Sequence, residues 1–421
     1  MKVLQQKNGV TQQKLGSAGR FLTWLDAREV EKANQVRNSY LRDLTTTMNL
    51  SNAGTKPHHG ILSPGCQHCG DGTWSCLFIN QTCNADCFYC PMEPAPRENP
   101  PPTALGVDFP SASGYVDFLV RAGYGGVGLS GGEPLLNLDR TMEFIKTIRD
   151  RIGDGFYLWL YTNGILANRE RLGQLFNSGV NEIRFDISAI NYSLKPVRLA
   201  REWPWRVTIE IPTIPEGEGR VAQLMPVLDQ IGVDHLHLHQ LTVNRWNAGR
   251  FVEHDYTLLH EPDNAVLDSE LAALRLLKRA ADEHLTLNVQ YCAREFKSRF
   301  QGRGRRLRLL QLGWGDESPG TVNDQGYIVE ETPVESASLS PEQHSGLSLV
   351  KSPPAGCLVG KQNHLLPETA VRRLEPVLVR KLGLKDEQSI PLNGWEQLAI
   401  RLIPVSTLVP RFDSEGLSPL R

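Results

Sequence analysis

From residue 74 to residue 240 the chain alternates apolar, β-prone runs with helical stretches, and this alternation limits the fold more than any other feature. Strands are expected at 74–79, 125–130, 156–161, 182–188, 206–212 and 234–240, with helices at about 110–123, 138–151, 168–178, 193–200 and 219–231. β and α units in alternation imply a parallel sheet with right-handed crossovers. Six such strands suit an α/β fold, an open partial (β/α)6 barrel. Parallel α/β folds gather ligands at the carboxyl ends of their strands, so each strand end is a place to look for chemistry.

The first strand, Trp74 to Ile79, turns through Asn80–Thr82 into Cys83, Cys87 and Cys90, spaced C-x3-C-x2-C. Three thiolates within eight residues form a compact claw suited to an iron–sulfur cluster. Four thiolates normally complete such a cluster, so three leave one iron open to another ligand. A zinc site would instead pair C-x2-C units, of which Cys87–Cys90 is half of one. A disulfide framework suits short secreted chains and matches poorly here.

The spacing, with the aromatic Tyr89 before the third cysteine, resembles the signature of the radical S-adenosylmethionine (radical SAM) superfamily, and the resemblance covers about residues 74–240. It implies a 4Fe-4S cluster on Cys83, Cys87 and Cys90, with the open iron chelated by the amino and carboxylate groups of SAM. The second strand ends in Ser130-Gly131-Gly132-Glu133-Pro134, where two glycines let the backbone approach a ligand closely. Its match to the family's Gly-Gly-Glu-Pro motif implies that Gly131, Gly132, Glu133 and Pro134 receive the SAM amino group. Taken alone, it reads equally as an ordinary strand-to-helix turn.

The third strand ends in Thr162-Asn163-Gly164, and the fourth puts Asp186 and Ser188 on one face of its end. Short hydroxyl, amide and carboxylate groups suit the ribose and carboxylate of SAM. The plainer readings are an Asn-Gly turn and a helix cap at Asp186. Both stretches resemble their equivalents in the branch related to pyruvate formate-lyase activating enzymes. The fifth strand resembles the one whose backbone flanks adenine, with Ile211 and Pro212 as the candidates, while Glu210 reads as solvent-facing. The sixth carries His235, His237 and His239 on one face, about 6–7 Å apart, too wide for three to share one ion and better read as a polar lining of the barrel mouth.

A second group, Cys66-x2-Cys69-x6-Cys76, precedes the main motif. A C-x2-C knuckle beside Gly65, Gly70 and Gly72 gives the turns a metal needs, so a second metal, iron or zinc, is a candidate, with Cys292 as its distant ligand and Cys357 next in line. Cys76 reads equally as a packed apolar residue. An amphipathic helix is expected from Thr23 to about Met48, then a Gly/Pro-rich connector. Past the barrel come a helix at about 268–284, a candidate seventh strand leading to Cys292, and seven basic residues between Arg294 and Arg308. These last read as a solvated basic helix face. The expected domains are a helical extension (1–65), the partial barrel (66–245), barrel-completing helices (246–314), and a linker with a small C-terminal appendage (315–421).

A formal charge of −2 leaves no footprint for nucleic acid, and no apolar run nears the roughly 20 residues that cross a bilayer. With eight cysteines read as thiols and ligands, a reducing cytoplasm is expected. The function these readings imply is reductive cleavage of SAM to a 5′-deoxyadenosyl radical. That radical would take hydrogen from an unidentified peptide, protein or small molecule, with a flavodoxin- or ferredoxin-type reductant as partner. The rival readings are an activase for a glycyl-radical enzyme and a non-enzymatic metal-binding sensor. The second leaves Gly131–Glu133 unexplained.

Overall fold

The computed structural model describes Ala18, residues 21–311 apart from 26, 47, 53, 94–98, 106 and 260–263, and five short strands between 321 and 360. The expected linker, apart from those strands, and the stretch 368–382 lie outside these residues.

Nine strands and nine helices carry the architecture. The strands are β1 (Asn49–Ser51), β2 (Lys56–His59), β3 (Trp74–Asn80), β4 (Gly126–Gly131), β5 (Tyr157–Thr162), β6 (Glu182–Phe185), β7 (Arg206–Pro212), β8 (His235–His239) and β9 (Asn288–Cys292). The helices are α1 (Ala27–Thr45), α2 (Pro64–Asp71), α3 (Ala112–Arg121), α4 (Leu138–Ile152), α5 (Arg169–Asn177), α6 (Lys195–Ala200), α7 (Glu218–Gln230), α8 (Leu267–Asp282) and α9 (Gly302–Gln311). Strands pair in the order β1-β2-β9-β8-β7-β6-β5-β4-β3, followed by two short strands at 103–104 and 107–108. From β3 to β9 every pairing is parallel. The expectation of six parallel strands is therefore extended to seven, because β9 pairs with β8 in register from His235↔Asn288 to His239↔Cys292.

In the N-terminal segment the expected helix is followed by two strands, β1 and β2, on the Gly/Pro-rich connector. α1 is there, held to α8 by a buried ion pair between Arg37 and Glu270 at 2.7 Å. β2 joins the sheet antiparallel to β9, despite its Lys-Pro-His-His sequence, and β1 pairs antiparallel with β2. No helix among the described residues is long and apolar enough to cross a membrane.

The sheet has two unlike faces. On one, Leu77, Val127, Leu129, Leu158, Leu160, Ile183, Val207, Ile209, Leu236 and Val289 are fully buried in one core with residues of α3, α4, α5, α7 and α8. On the other stand Trp159, Tyr161, Glu182, Arg184, Thr208, Glu210, His235, His237 and Gln290, as period-2 alternation requires. This polar face is covered by α2. Ser63 caps α2 through the Cys66 amide, Pro64 starts it, and Gly72 ends it at φ 69°. Gly65 lies so close to Arg184 and Trp159 that a Cβ there would fall 2.4 Å and 3.2 Å from them.

Candidate active site

The loop after β3 carries Cys83, Cys87 and Cys90 across the carboxyl ends of the strands. It is stitched to the turn after β4 through the main chain. Gly132 N donates to Asn80 O at 3.0 Å, Glu133 N to Thr82 O at 2.8 Å, and Asn80 Nδ2 to Glu133 O at 3.0 Å. Only glycine allows this approach, since a Cβ on Gly132 would lie 1.7 Å from Thr82 O. Gly131 is also held at φ 122°, which a side chain rarely adopts.

Glu133 is 1% exposed, and three donors occupy its carboxylate. Leu135 N donates to Oε1 at 3.0 Å, Thr162 Oγ1 to Oε1 at 2.9 Å and Asn163 N to Oε2 at 2.8 Å. Burial pushes its carboxyl up despite them. Its side chain thus ties the turn after β4 to the Thr-Asn-Gly turn after β5, while Glu133 O accepts from Asn80 Nδ2 and Leu136 N. Pro134 is buried at the start of the next helical turn.

Asn163 reaches back to the cysteine loop, its Nδ2 2.7 Å from Asn84 Oδ1 and 3.6 Å from Cys83 Sγ. Tyr89 is joined to the end of β6, its hydroxyl 2.9 Å from Asp186 Oδ2 and 2.7 Å from Ser188 Oγ. Ser188 Oγ also bonds Asp186 Oδ1, and Ser188 N donates to the same oxygen at 3.1 Å, so Asp186 does cap the turn that follows. Burial raises the Asp186 carboxyl and pushes the Tyr89 phenol well above its ordinary value. The Ile211 side chain is packed into the aliphatic core, which leaves its main chain alone available at the strand end.

The segment after β8, irregular in sequence, braces the same loop. Asn247 Nδ2 donates to Tyr89 O at 3.1 Å and Arg250 Nη1 to Cys87 O at 3.3 Å, while Phe88 stacks on His254 at 4.3 Å. Nothing in the sequence marked Asn247 or Arg250, because a contact of this separation leaves no local pattern. Asn80 and Asn84 were missed for a different reason: they stand inside the stretch that the cysteines dominated, and their partners Glu133 and Asn163 are distant.

Glu210, read as solvent-facing, is instead largely enclosed on the polar face, its side chain 11% exposed. Arg184 pairs with Glu182 and Glu210, each at 2.8 Å, and Glu210 also takes His237 Nδ1 at 3.1 Å and His239 Nε2 at 3.0 Å. Burial would raise the Glu210 carboxyl, but His239 and Arg184 outweigh it and hold it well below the carboxylate range. Of the three histidines, read as a lining of the barrel mouth, His237 lies under α2, 3.8 Å from Cys66 Sγ, and His239 at the strand end bonds Glu210. Burial and neighbouring cations bring His235 down to about 3 and His239 to about 4.

The second cysteine group does not gather as a metal centre. Cys66 and Cys69 lie on α2, Cys76 on β3 and Cys292 at the end of β9, and no set of three or more His, Cys, Asp or Glu among the described residues is placed to hold a single ion. Cys66, Cys69 and Cys292 face instead the buried ammonium of Lys56, which also sits 4.0 Å over the Phe296 ring. Cys66 Sγ takes an N–H from Gln290 at 3.0 Å and lies 3.8 Å from the His237 ring nitrogens. Burial pushes the Cys66 thiol up, but His237, Lys56 and Arg184 together bring it to about 5. Burial sends Cys69 up to about 12.

The match to known families falls on the strands just described. Residues 77–212 match the model of the radical SAM superfamily. This stretch is a radical SAM domain. A protein of Methanocaldococcus jannaschii named as a glycyl-radical enzyme activating enzyme is 27% identical over 254 residues, covering 58% of this chain and 66% of that one. A second protein of that organism, named as a GTP 3′,8-cyclase, is 32% identical over 123 residues, 28% of this chain and 37% of its own. Among solved structures, Streptococcus suis SuiB bound to S-adenosylmethionine matches at 15% identity and a TM-score of 0.38, over 51% of this chain and 49% of that one. The methyltransferase TsrM of Kitasatospora setae matches at 12% identity and a TM-score of 0.33, over 44% and 40%.

The radical SAM family implies SAM and a 4Fe-4S cluster, and the donor set of the cysteine loop is consistent with both. The three thiols lie in one another's field, so that Cys83 and Cys90 both add to the burial that raises Cys87 to about 11. Each has a hydrogen-bonding group beside its sulfur: Ala85 N and Asn163 Nδ2 at Cys83, the Tyr89 hydroxyl at Cys87 and the Met92 amide at Cys90.

Proposed function

We propose that Cys83, Cys87 and Cys90 ligate a 4Fe-4S cluster, and that SAM binds between this cluster and the strand ends of β4 to β7. The bound cluster would supply one electron to the sulfonium of SAM, giving methionine and a 5′-deoxyadenosyl radical that takes hydrogen from a substrate held in the barrel. The chain's own contribution is orientation and exclusion of water. The main chain of the Gly131–Glu133 turn would receive the SAM amino group. Asp186 and Ser188 offer carboxylate and hydroxyl oxygens to the ribose end, while Thr162 Oγ1, bonded to Glu133 Oε1 and Gly164 N, holds the turn in place. Pairs of Arg184 with Glu182 and Glu210 keep the barrel interior charged and ordered beneath the site.

The observation that carries this reading is the stitching of the cysteine loop to the glycine turn, Gly132 N to Asn80 O and Glu133 N to Thr82 O. It fixes the distance between the thiols and the carbonyls that would meet one small molecule from two sides. The test is anaerobic reconstitution of the full chain with iron and sulfide, followed by SAM and dithionite. The expected products are 5′-deoxyadenosine and methionine in equal amounts. A chain that loads four irons and leaves SAM intact refutes the activity. A flavodoxin- or ferredoxin-type protein is the expected physiological reductant.

A second reading follows from the 27% identical relative, whose name is that of a glycyl-radical enzyme activating enzyme. On that reading the substrate is a glycine of a partner protein. A glycyl radical signal in a partner incubated with the reduced chain and SAM separates it from action on a small molecule or peptide.

A further inference from the structure

The Asn163 amide is oriented by its partners. Ile165 N donates to its Oδ1 at 2.9 Å, which fixes the oxygen and turns Nδ2 toward the cysteine loop. There one N–H goes to Asn84 Oδ1 at 2.7 Å and the other faces Cys83 Sγ at 3.6 Å. A primary amide has two N–H donors, so both partners are served at once. The main chain is pinned as well, Asn163 N to Glu133 Oε2 at 2.8 Å, and the residue is only 7% exposed. Sulfur accepts at longer range than oxygen does.

The geometry points to Asn163 as a positioning residue that donates a hydrogen bond to the Cys83 sulfur and thereby raises the reduction potential of the cluster. The inference rests on the cluster assignment above and reassigns Asn163 from SAM contact to sulfur donor. The reduced cluster carries one more negative charge, spread partly over its thiolates. An N–H aimed at one of those sulfurs therefore favours the reduced form, and hydrogen bonds to sulfur are among the levers that set such potentials. The other donor to Cys83 is the Ala85 main-chain amide at 3.4 Å, which any side chain at that position would supply. Asn163 comes from a different strand, and Glu133 sets its distance. That linkage gives the buried glutamate of the glycine turn a task beyond capping: it holds the donor against the sulfur.

The test is a redox titration of the reconstituted full chain without SAM, followed by electron paramagnetic resonance of the reduced cluster, for wild type, Asn163→Ala and Asn163→Asp. The aspartate keeps an oxygen for Ile165 N and replaces the donating NH2 with an acceptor, so it preserves the turn while removing the bond. Asn163→Ala is expected to lower the midpoint, the ratio of reduced to oxidised cluster at a fixed reductant poise falling about tenfold, or ~59 mV for a one-electron couple. Asn163→Asp is expected to lower it further. An unmoved midpoint in loaded clusters of both variants overturns the inference. So does weakened SAM binding with the SAM-free potential unchanged, which would return Asn163 to the role of SAM contact. A wild-type chain that takes up no four-iron cluster overturns the assignment beneath it. If Asn163→Ala fails to hold a cluster, the isosteric Asn163→Asp carries the measurement.

Discussion

Two groups of cysteines stand within 25 residues of each other, and their surroundings could hardly differ more. Cys83, Cys87 and Cys90 sit on a loop at the strand ends, where Cys83 and Cys90 are exposed and the nearby donors are amides and a phenol. Cys66 and Cys69 sit on a helix laid across the charged face of the sheet, with Lys56, Arg184 and His237 around them. In the second group the protein's own cations already balance a thiolate, and a buried charge so balanced does not require a metal. In the first group Arg250 acts on Cys90 but is also paired with Asp86 at 2.6 Å, and burial still raises that thiol, so a thiolate there calls for a further cation. Spacing made both groups look like ligands; the neighbouring charge separates them.

The comparison breaks most readily at the cysteines themselves. Cys87→Ala should reduce iron content and 5′-deoxyadenosine formation to background, whereas Cys66→Ala should keep four irons per chain. Equal loss of iron in both would erase the distinction. Next in size is Gly132→Ala. Its Cβ would collide with Thr82 O and push the cysteine loop off the glycine turn, and the expected result is a folded chain by circular dichroism with little cluster uptake. Full uptake would show that the stitching is dispensable.

Below these stands Arg184→Met, which leaves Glu182 and part of Glu210 buried without their cation. A loss of about 3–5 kcal/mol in denaturant unfolding is expected, because breaking one side of a buried pair strands the other. A loss under 1 kcal/mol would mean that the polar face is hydrated. The smallest effect is a pH dependence at Cys66. Its folded pKa, about 5, lies below the unfolded one of about 8.5. The stabilisation is therefore complete above the unfolded value and is lost as pH falls toward about 5. The stability gap between wild type and Cys66→Ser should narrow between pH 8 and pH 5. A gap that is flat across this range would mean a neutral thiol.

How much of this was legible in the sequence follows the range of the forces involved. The β/α alternation is a local periodicity, and the strand at Arg206–Pro212 fell on the residues expected of it. The strand-end motifs were also legible, since Gly131, Gly132 and Glu133 are contiguous. What stayed hidden was set by distant partners. Glu210 looked exposed because carboxylates usually are, yet Arg184, His237 and His239 surround it. The polar residues at every second position of β6 and β8 were a signal that this face is buried and charged, and the reading stopped short of it. Lys56 and the two histidines that follow gave no sign of a strand, because pairing with β9 overrides local propensity.

The contact between Gly72 and Gly304 has a practical bearing on dissection of the chain. The two backbones meet so tightly that a Cβ on Gly72 would lie 2.4 Å from Gly304 Cα. From the same helix Arg308 reaches Gly72 O at 2.9 Å, Ala122 O at 2.6 Å and Gly123 O at 2.7 Å, closing the ends of α2 and α3. A fragment trimmed to residues 77–212 would discard both this latch and the helix it fastens. The shortest portion worth expressing on its own therefore runs from α1, whose Arg37 neutralises the buried Glu270, through Arg308.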